Sequence, residues 1–359
     1  MLIRHRAGLR AVPRHRPATG NRSRQRADVF LTFNESPYPL LAAVRDALVA
    51  VMDSAHRYPD FAGVTLIEQL AEHWHVQRSQ VTIDGGSSGV IRSIASVFAE
   101  PGTTAVFGWL PFPVYEQATP LAGAQPNRVP LDSSYRLDLP AISRAVDDRA
   151  RVVFLCLPNN PTGMTVSQAA LRAFMASVPR HLLVVVDECY GAFVTAPDAD
   201  RGCQLLADFS NLVVLKSFSK SAGLAGLRAG HALSSPEVAE LLRLASVPFG
   251  VSIFAQAAAV AALSAPALKV QRGRVAEIVS ECDRVHCRLR QARVAVVESE
   301  ANFLYVTPRT SAGERIAHLA RCGIHVRHAA ADPIRISIGS SYDHDRLLEH
   351  IDLLMPSFP

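Results

Sequence analysis

Apolar positions follow two regimes along this chain. Leu41, Val44, Leu48 and Val51 recur at helical spacing and predict a helix over Leu40–Met52. Val64–Trp74 reads as a second helix. Val81–Ile83 is a short strand that runs through Gly85-Gly86-Ser87-Ser88-Gly89 into a helix over Val90–Phe98, and Ala105–Phe107 is again strand-like. The regime then changes. Val152–Leu157, Leu182–Val186 and Leu212–Leu215 are unbroken, β-branched apolar runs, separated by helical segments over Ser167–Ser177 and near Gln204–Phe209. Such runs alternating with helices predict a parallel sheet buried on both faces. Beyond Val251 long helices cover Phe254–Leu289, and strands follow at Phe303–Val306 and Ile334–Ile338. The pattern is a large α/β domain followed by a smaller C-terminal α+β domain, without internal repeats.

Composition supports this picture. The 359 residues are 49% hydrophobic and 19% charged, enough to bury a large core and inconsistent with global disorder. Apolar stretches such as Ala257–Leu263 fall well short of the ~20 residues a membrane helix needs. The net charge of +5 is unevenly placed. Residues 1–27 hold eight arginines and no acid, so removing them leaves 29 Lys+Arg against 32 Asp+Glu. Residues 1–27 thus read as a disordered basic arm or the product of a mis-assigned start, and the body is mildly acidic. The arm has no apolar segment of the kind a secretory signal needs. It is also too short for the folded reader a DNA-binding regulator requires, which sets nucleic acid aside as a partner. Six cysteines without a C-x-x-C pair fit a reducing cytoplasm and offer no zinc site. His73 and His75 lie two apart on different helix faces, so metal catalysis is disfavoured. Only Lys216, Lys220 and Lys269 can supply a lysine amine.

In open α/β sheets, ligands bind beyond the carboxyl ends of the parallel strands. Those ends present Asn159-Asn160-Pro161-Thr162-Gly163, Asp187-Glu188-Cys189-Tyr190 and Lys216-Ser217-Phe218-Ser219-Lys220, besides the glycine- and serine-rich helix start at residues 85–89. An amine able to form a Schiff base, a carboxylate able to pair with a pyridine nitrogen and an anion-binding helix start together suit pyridoxal phosphate.

Asn160-Pro161-Thr162-Gly163, Asp187-Glu188-x-Tyr190 and Ser217-Phe218-Ser219-Lys220-x7-Arg228 resemble the class I/II aminotransferases of pyridoxal-phosphate fold type I. The likeness runs from about Asp28 to the end. It is closest to the histidinol-phosphate aminotransferases and their aromatic (phenylalanine) relatives, through Arg57-Tyr58-Pro59-Asp60, Val106-Phe107-Gly108-Trp109, Val247-Pro248-Phe249 and Ala301-Asn302-Phe303. The resemblance implies a large domain, residues 28–253, with a mostly parallel seven-stranded sheet flanked by helices. Residues 254–359 would form the smaller domain, and residues 28–55 would pack on it.

It also implies roles. Lys220 would hold the cofactor and carry the proton at the reacting carbon, and Asp187 would pair with the pyridinium nitrogen. Asn160 and Tyr190 would bond the ring oxygen, and Phe112 would stack on the ring. Gly86, Ser87, Ser217, Ser219 and Arg228 would bind its phosphate. Tyr58 would reach the neighbouring subunit's cofactor in a homodimer. Arg335 would clamp the substrate carboxylate. Arg327 either binds a substrate phosphate or sits on the surface; Lys216 reads as structural and Lys269 as solvated. Histidinol-phosphate enzymes usually carry acidic residues where Ser87 and Ser88 stand, which favours the aromatic relatives. The expectation is a two-half-reaction amino transfer from an aromatic amino acid to a 2-oxo acid. Histidinol phosphate, a threonine-phosphate-decarboxylase-like reaction and a natural-product amino acid are the alternatives.

Overall fold

A computed structural model describes residues 28–199, 201–307, 312–329 and 332–355, and Val12 alone before residue 28. The arginine-rich arm therefore lies outside the described residues. After β1 (Val29–Phe30) come the seven strands of the main sheet: β2 (Val81–Asp84), β3 (Thr104–Trp109), β4 (Gln125–Pro130), β5 (Ala150–Cys156), β6 (Leu183–Asp187), β7 (Leu212–Ser217) and β8 (Gly230–Leu233). Their spatial order is β2-β8-β7-β6-β5-β3-β4. Strands β4, β3, β5, β6 and β7 pair in parallel, while β8 runs antiparallel to both its neighbours. The architecture is α/β with a mostly parallel sheet, as the apolar runs require.

Alternation along the central strands builds two cores. Val184 and Val186 of β6 and Leu212 and Val214 of β7 join Leu66, Leu70, Leu171 and Phe174 on one face. Leu183, Val185, Val213 and Leu215 face the other way, against Val90, Ile91, Ile94 and Leu242. That is the two-residue period of a strand covered on both sides. Each fully buried Val or Leu contributes about 1.5–3 kcal/mol relative to exposure. The edge strand β4 was not anticipated: its sequence, Gln-Pro-Asn-Arg-Val-Pro, is mostly polar, because only Val129 is buried.

A third core surrounds a four-stranded sheet formed by β9 (Val296–Val297), β10 (Phe303–Val306), β12 (Arg327–His328) and β13 (Ile334–Ser337). Short β11 (Ile324–His325) pairs instead with β1. Helix Ala42–Ala50 lies along helix Ile253–Ala262, and Leu41, Val44, Ala255, Ala258 and Ala259 share one cluster with the main sheet. The expected helical stretch Phe254–Leu289 is two helices, Ile253–Ala262 and Ala265–Gln291, set 79° apart. They part at Ser264, the N-cap of the second, with proline in its first turn. Near Gln204–Phe209 the expected helix reduces to a single 3₁₀ turn, Gly202–Leu205. Among the described residues no single helix is long and apolar enough to cross a membrane.

Candidate active site

A cavity of about 120 Å³ opens where β5, β6 and β7 end and where helix Ser87–Phe98 begins. Ser87, Phe112, Asn160, Asp187, Tyr190, Ser217, Ser219, Lys220 and Arg228 all line it. Residues separated by more than 130 positions thus converge because most follow a strand or open a helix, while Arg228 closes the 3₁₀ turn Ala225–Leu227 ahead of β8.

Asp187, the last residue of β6, is fully buried. Its carboxylate accepts from the Tyr115 hydroxyl at 2.7 Å and the Cys189 amide at 3.2 Å, both neutral donors. Burial raises its pKa, and the bonds to Cys189 and Tyr115 oppose the rise. A buried carboxylate with only neutral partners is an unbalanced charge, so a cationic ring nitrogen at this end of the cavity would supply what the protein leaves out.

Lys220 lies across the cavity. Its amine donates to the carbonyl oxygens of Phe33 at 3.0 Å and Asn34 at 3.1 Å, and sits 5.7 Å from the Tyr190 ring centre. Burial first, then the nearby Arg335 charge, lowers its pKa from 10.5 to about 8. The Tyr190 hydroxyl accepts from Asn34 Nδ2 at 3.0 Å and from Asn160 Nδ2 at 3.3 Å. Burial pushes that phenol's pKa upward.

The third corner is built for an anion. Gly86 caps the helix at φ +77°, a backbone state suited to glycine. A Cβ there would lie 2.4 Å from Arg228 Nη2, so the guanidinium packs directly against the helix start. Arg228 reaches Ser219 Oγ at 3.5 Å, and the Ser219 amide donates to Ser217 Oγ at 3.0 Å. Amides, hydroxyls and one cation together favour a phosphate.

The remaining expected residues fall elsewhere. Arg335, on β13, is buried and donates from Nη1 to Asn160 Oδ1 at 2.7 Å and from Nη2 to the Thr32 carbonyl at 2.6 Å, while its Nε has no partner. Arg327 lies with its guanidinium carbon 5.4 Å from the Phe33 ring centre. Tyr58 is not brought into the cavity: it is 80% exposed and stacks on Phe249 at 4.5 Å. Lys216 forms an ion pair with Glu188 and lies 4.3 Å from the Trp74 ring centre, on a separate cavity of about 810 Å³. Among the described residues no group of three or more His, Cys, Asp or Glu could hold a metal ion.

Two contributors escaped the sequence reading. Tyr115 sits one turn after Phe112 on helix Pro113–Ala122, and that i, i+3 spacing was the available signal. Asn34 gave none, since its role depends on partners far away in sequence. Its backbone amide donates to Ser337 Oγ at 2.8 Å, and its carbonyl accepts from Asn302 and Lys220.

Residues 28–351 match the family described as aminotransferase class I and II. The aromatic amino acid aminotransferase of Thermobifida fusca (strain YX) is 39% identical over 343 residues, covering 96% of this chain and 95% of the relative. The protein of that name from Streptomyces coelicolor is 36% identical over 348 residues, covering 96% and 95%. The crystal structure of histidinol-phosphate aminotransferase from Sinorhizobium meliloti in complex with pyridoxal-5′-phosphate superposes with a TM-score of 0.84 at 26% identity, covering 92% of this chain and 90% of that one.

Proposed function

The chain belongs to the aminotransferase class I and II family, and from that premise we propose that it is a pyridoxal-phosphate enzyme moving an amino group from an aromatic amino acid to a 2-oxo acid. The observation that carries the cofactor assignment is the buried, neutrally partnered Asp187 carboxylate facing one cavity with the Lys220 amine and the Arg228 guanidinium. The aromatic preference rests on relatives of that name at 36–39% identity over nearly the whole chain, and on serines at positions 87 and 88.

When bound, pyridoxal phosphate supplies an aldehyde that condenses with amines and a ring that takes up electron density from the reacting carbon. The residues around it would divide the work. Ser87, Ser217, Ser219, Arg228 and the amides after Gly86 would fix the phosphate. Asp187 would hold the ring nitrogen's proton, with Tyr115 bonded to one carboxylate oxygen. Asn160 and Tyr190 would bond the ring oxygen, and Phe112 would cover the ring face and exclude water. With a pKa of about 8, the Lys220 amine is neutral often enough at physiological pH to bond the aldehyde. The same amine would carry the proton between the substrate Cα and the cofactor C4′. Arg335 would grip the α-carboxylate with its planar fork.

The assembly we propose is a homodimer, in which the exposed Tyr58 reaches the partner's phosphate, acting in a reducing cytoplasm where the six free cysteines stay reduced.

Titrating the purified, cofactor-loaded protein with single amino donors tests this reading. Phenylalanine or tyrosine should bleach the visible cofactor band and release the matching 2-oxo acid. Bleaching by histidinol phosphate alone would move the substrate assignment, release of CO₂ without oxo acid would replace amino transfer by decarboxylation, and a protein that takes up no pyridoxal phosphate would overturn the cofactor.

A further inference from the structure

Phe33 occupies an unusual place. Its carbonyl accepts from the Lys220 amine at 3.0 Å, so its backbone sits at the reacting group, yet its side chain is 42% exposed. Among the described residues no aromatic ring stacks on it. What does lie against its ring is Arg327, with the guanidinium carbon 5.4 Å from the ring centre, in range for a cation–π contact.

The strand register explains how Arg327 gets there. Arg327 on β12 pairs with Arg335 on β13, and Arg335 pairs with Tyr305 on β10. Residues directly opposed on antiparallel strands project from the same face. Arg327 therefore shares the face from which Arg335 reaches Asn160. Phe33, bonded through its carbonyl to Lys220, and Arg327, on the face of Arg335, thus stand beside the two groups that would meet the substrate.

We propose that Phe33 and Arg327 together form the subsite for the substrate side chain, and that this pair selects a planar aromatic ring over a phosphate ester. The inference deepens the aromatic reading above and rests on it. An aromatic side chain placed here would meet a partly exposed ring and an adjoining guanidinium, both suited to stacking. A phosphate dianion would shed water against an apolar ring, with one guanidinium in compensation. Through its side chain Phe33 is thus a specificity-determining residue, while its backbone carbonyl serves Lys220 whatever the side chain.

The test compares kcat/KM for phenylalanine, alanine and histidinol phosphate, with one oxo acid, in the wild-type holoenzyme and in Phe33→Ala, Phe33→Leu and Phe33→Tyr. In the Ala and Leu variants the phenylalanine-to-alanine ratio should fall roughly three- to tenfold, the range of one aromatic contact. The histidinol-phosphate-to-alanine ratio should rise, and Phe33→Tyr should keep both ratios near wild type. A phenylalanine-to-alanine ratio unchanged in both Ala and Leu variants, or an equal loss for all three donors, overturns the proposal; the second result would mark a structural role through the Phe33 carbonyl. The parent reading fails by a different result: wild-type protein that converts alanine or histidinol phosphate and leaves phenylalanine untouched.

Discussion

Raising the pH from 6 to 9 should speed covalent capture of pyridoxal phosphate by the cofactor-free protein along a curve centred near pH 8, the value to which the site brings the Lys220 amine. Only the neutral amine attacks an aldehyde. At pH 7 an ordinary lysine is neutral in roughly one molecule of 3,000, whereas a group titrating near 8 is neutral in roughly one of ten. The site thus supplies about 300-fold more nucleophile. Burial is the larger cause and the Arg335 charge the second. The Phe33 and Asn34 carbonyls, which accept from the amine, favour the ammonium form. A midpoint near 8 therefore requires burial and Arg335 to outweigh them. Stopped-flow mixing, read at the visible band of the bound cofactor, should show the capture rate rising roughly tenfold from pH 6 to 7, fivefold to pH 8 and less than twofold to pH 9. Arg335→Gln removes a neighbouring like charge, so its midpoint should move upward, by less than about one unit because burial remains. A wild-type rate still climbing tenfold per unit at pH 9 would show an ordinary solvated lysine. A flat profile would show that Lys220 is not the capturing group. Either result refutes the reasoning.

Tyr115→Phe removes a hydroxyl bonded to a buried carboxylate, an interaction worth about 1.5–3 kcal/mol, so kcat/KM should fall roughly ten- to hundredfold. Because that bond lowers the Asp187 pKa, its loss should also move the acidic limb of the pH–rate profile to higher pH, which steady-state rates at several pH values would reveal. Gly86→Ala places a methyl 2.4 Å from Arg228 Nη2 at a φ of +77° and should weaken pyridoxal phosphate binding about tenfold, while pyridoxal, lacking the phosphate, should lose far less. Mixing inactive Lys220→Ala protomers with impaired Tyr58→Ala protomers should restore activity above either parent, since one site of the mixed dimer would carry both intact residues. No restoration after verified subunit exchange would remove Tyr58 from the neighbouring site.

The parts of the fold that could be read from the chain are those whose cause is local. Unbroken valine and leucine runs mark β5, β6 and β7 because both faces of those strands are buried, and the residues that follow them are the strand ends that line the cavity. Strand β4 escaped because an edge strand needs little apolar surface, and β8 because four residues starting at a glycine show no period. Helix Pro113–Ala122 carries Pro120 inside it, a residue that ordinarily argues against a helix. The cavity's chemistry followed the same rule. Lys220, Asp187 and Asn160 could be found by strand position, whereas the hydrogen bond from Arg335 to Asn160 joins residues 175 positions apart and leaves no trace in either neighbourhood. Tyr58 stands 80% exposed, as its proposed role in a homodimer would require.

Only three lysines exist in the sequence, and this makes the central claim directly measurable. Borohydride reduction of the cofactor-loaded protein fixes the cofactor to whichever amine it occupies, and peptide mass mapping then identifies that residue. The account predicts stoichiometric labelling of the peptide containing Lys220, lost when a phenylalanine pulse is given before reduction. Label on Lys216 or Lys269, or none at all, would contradict it.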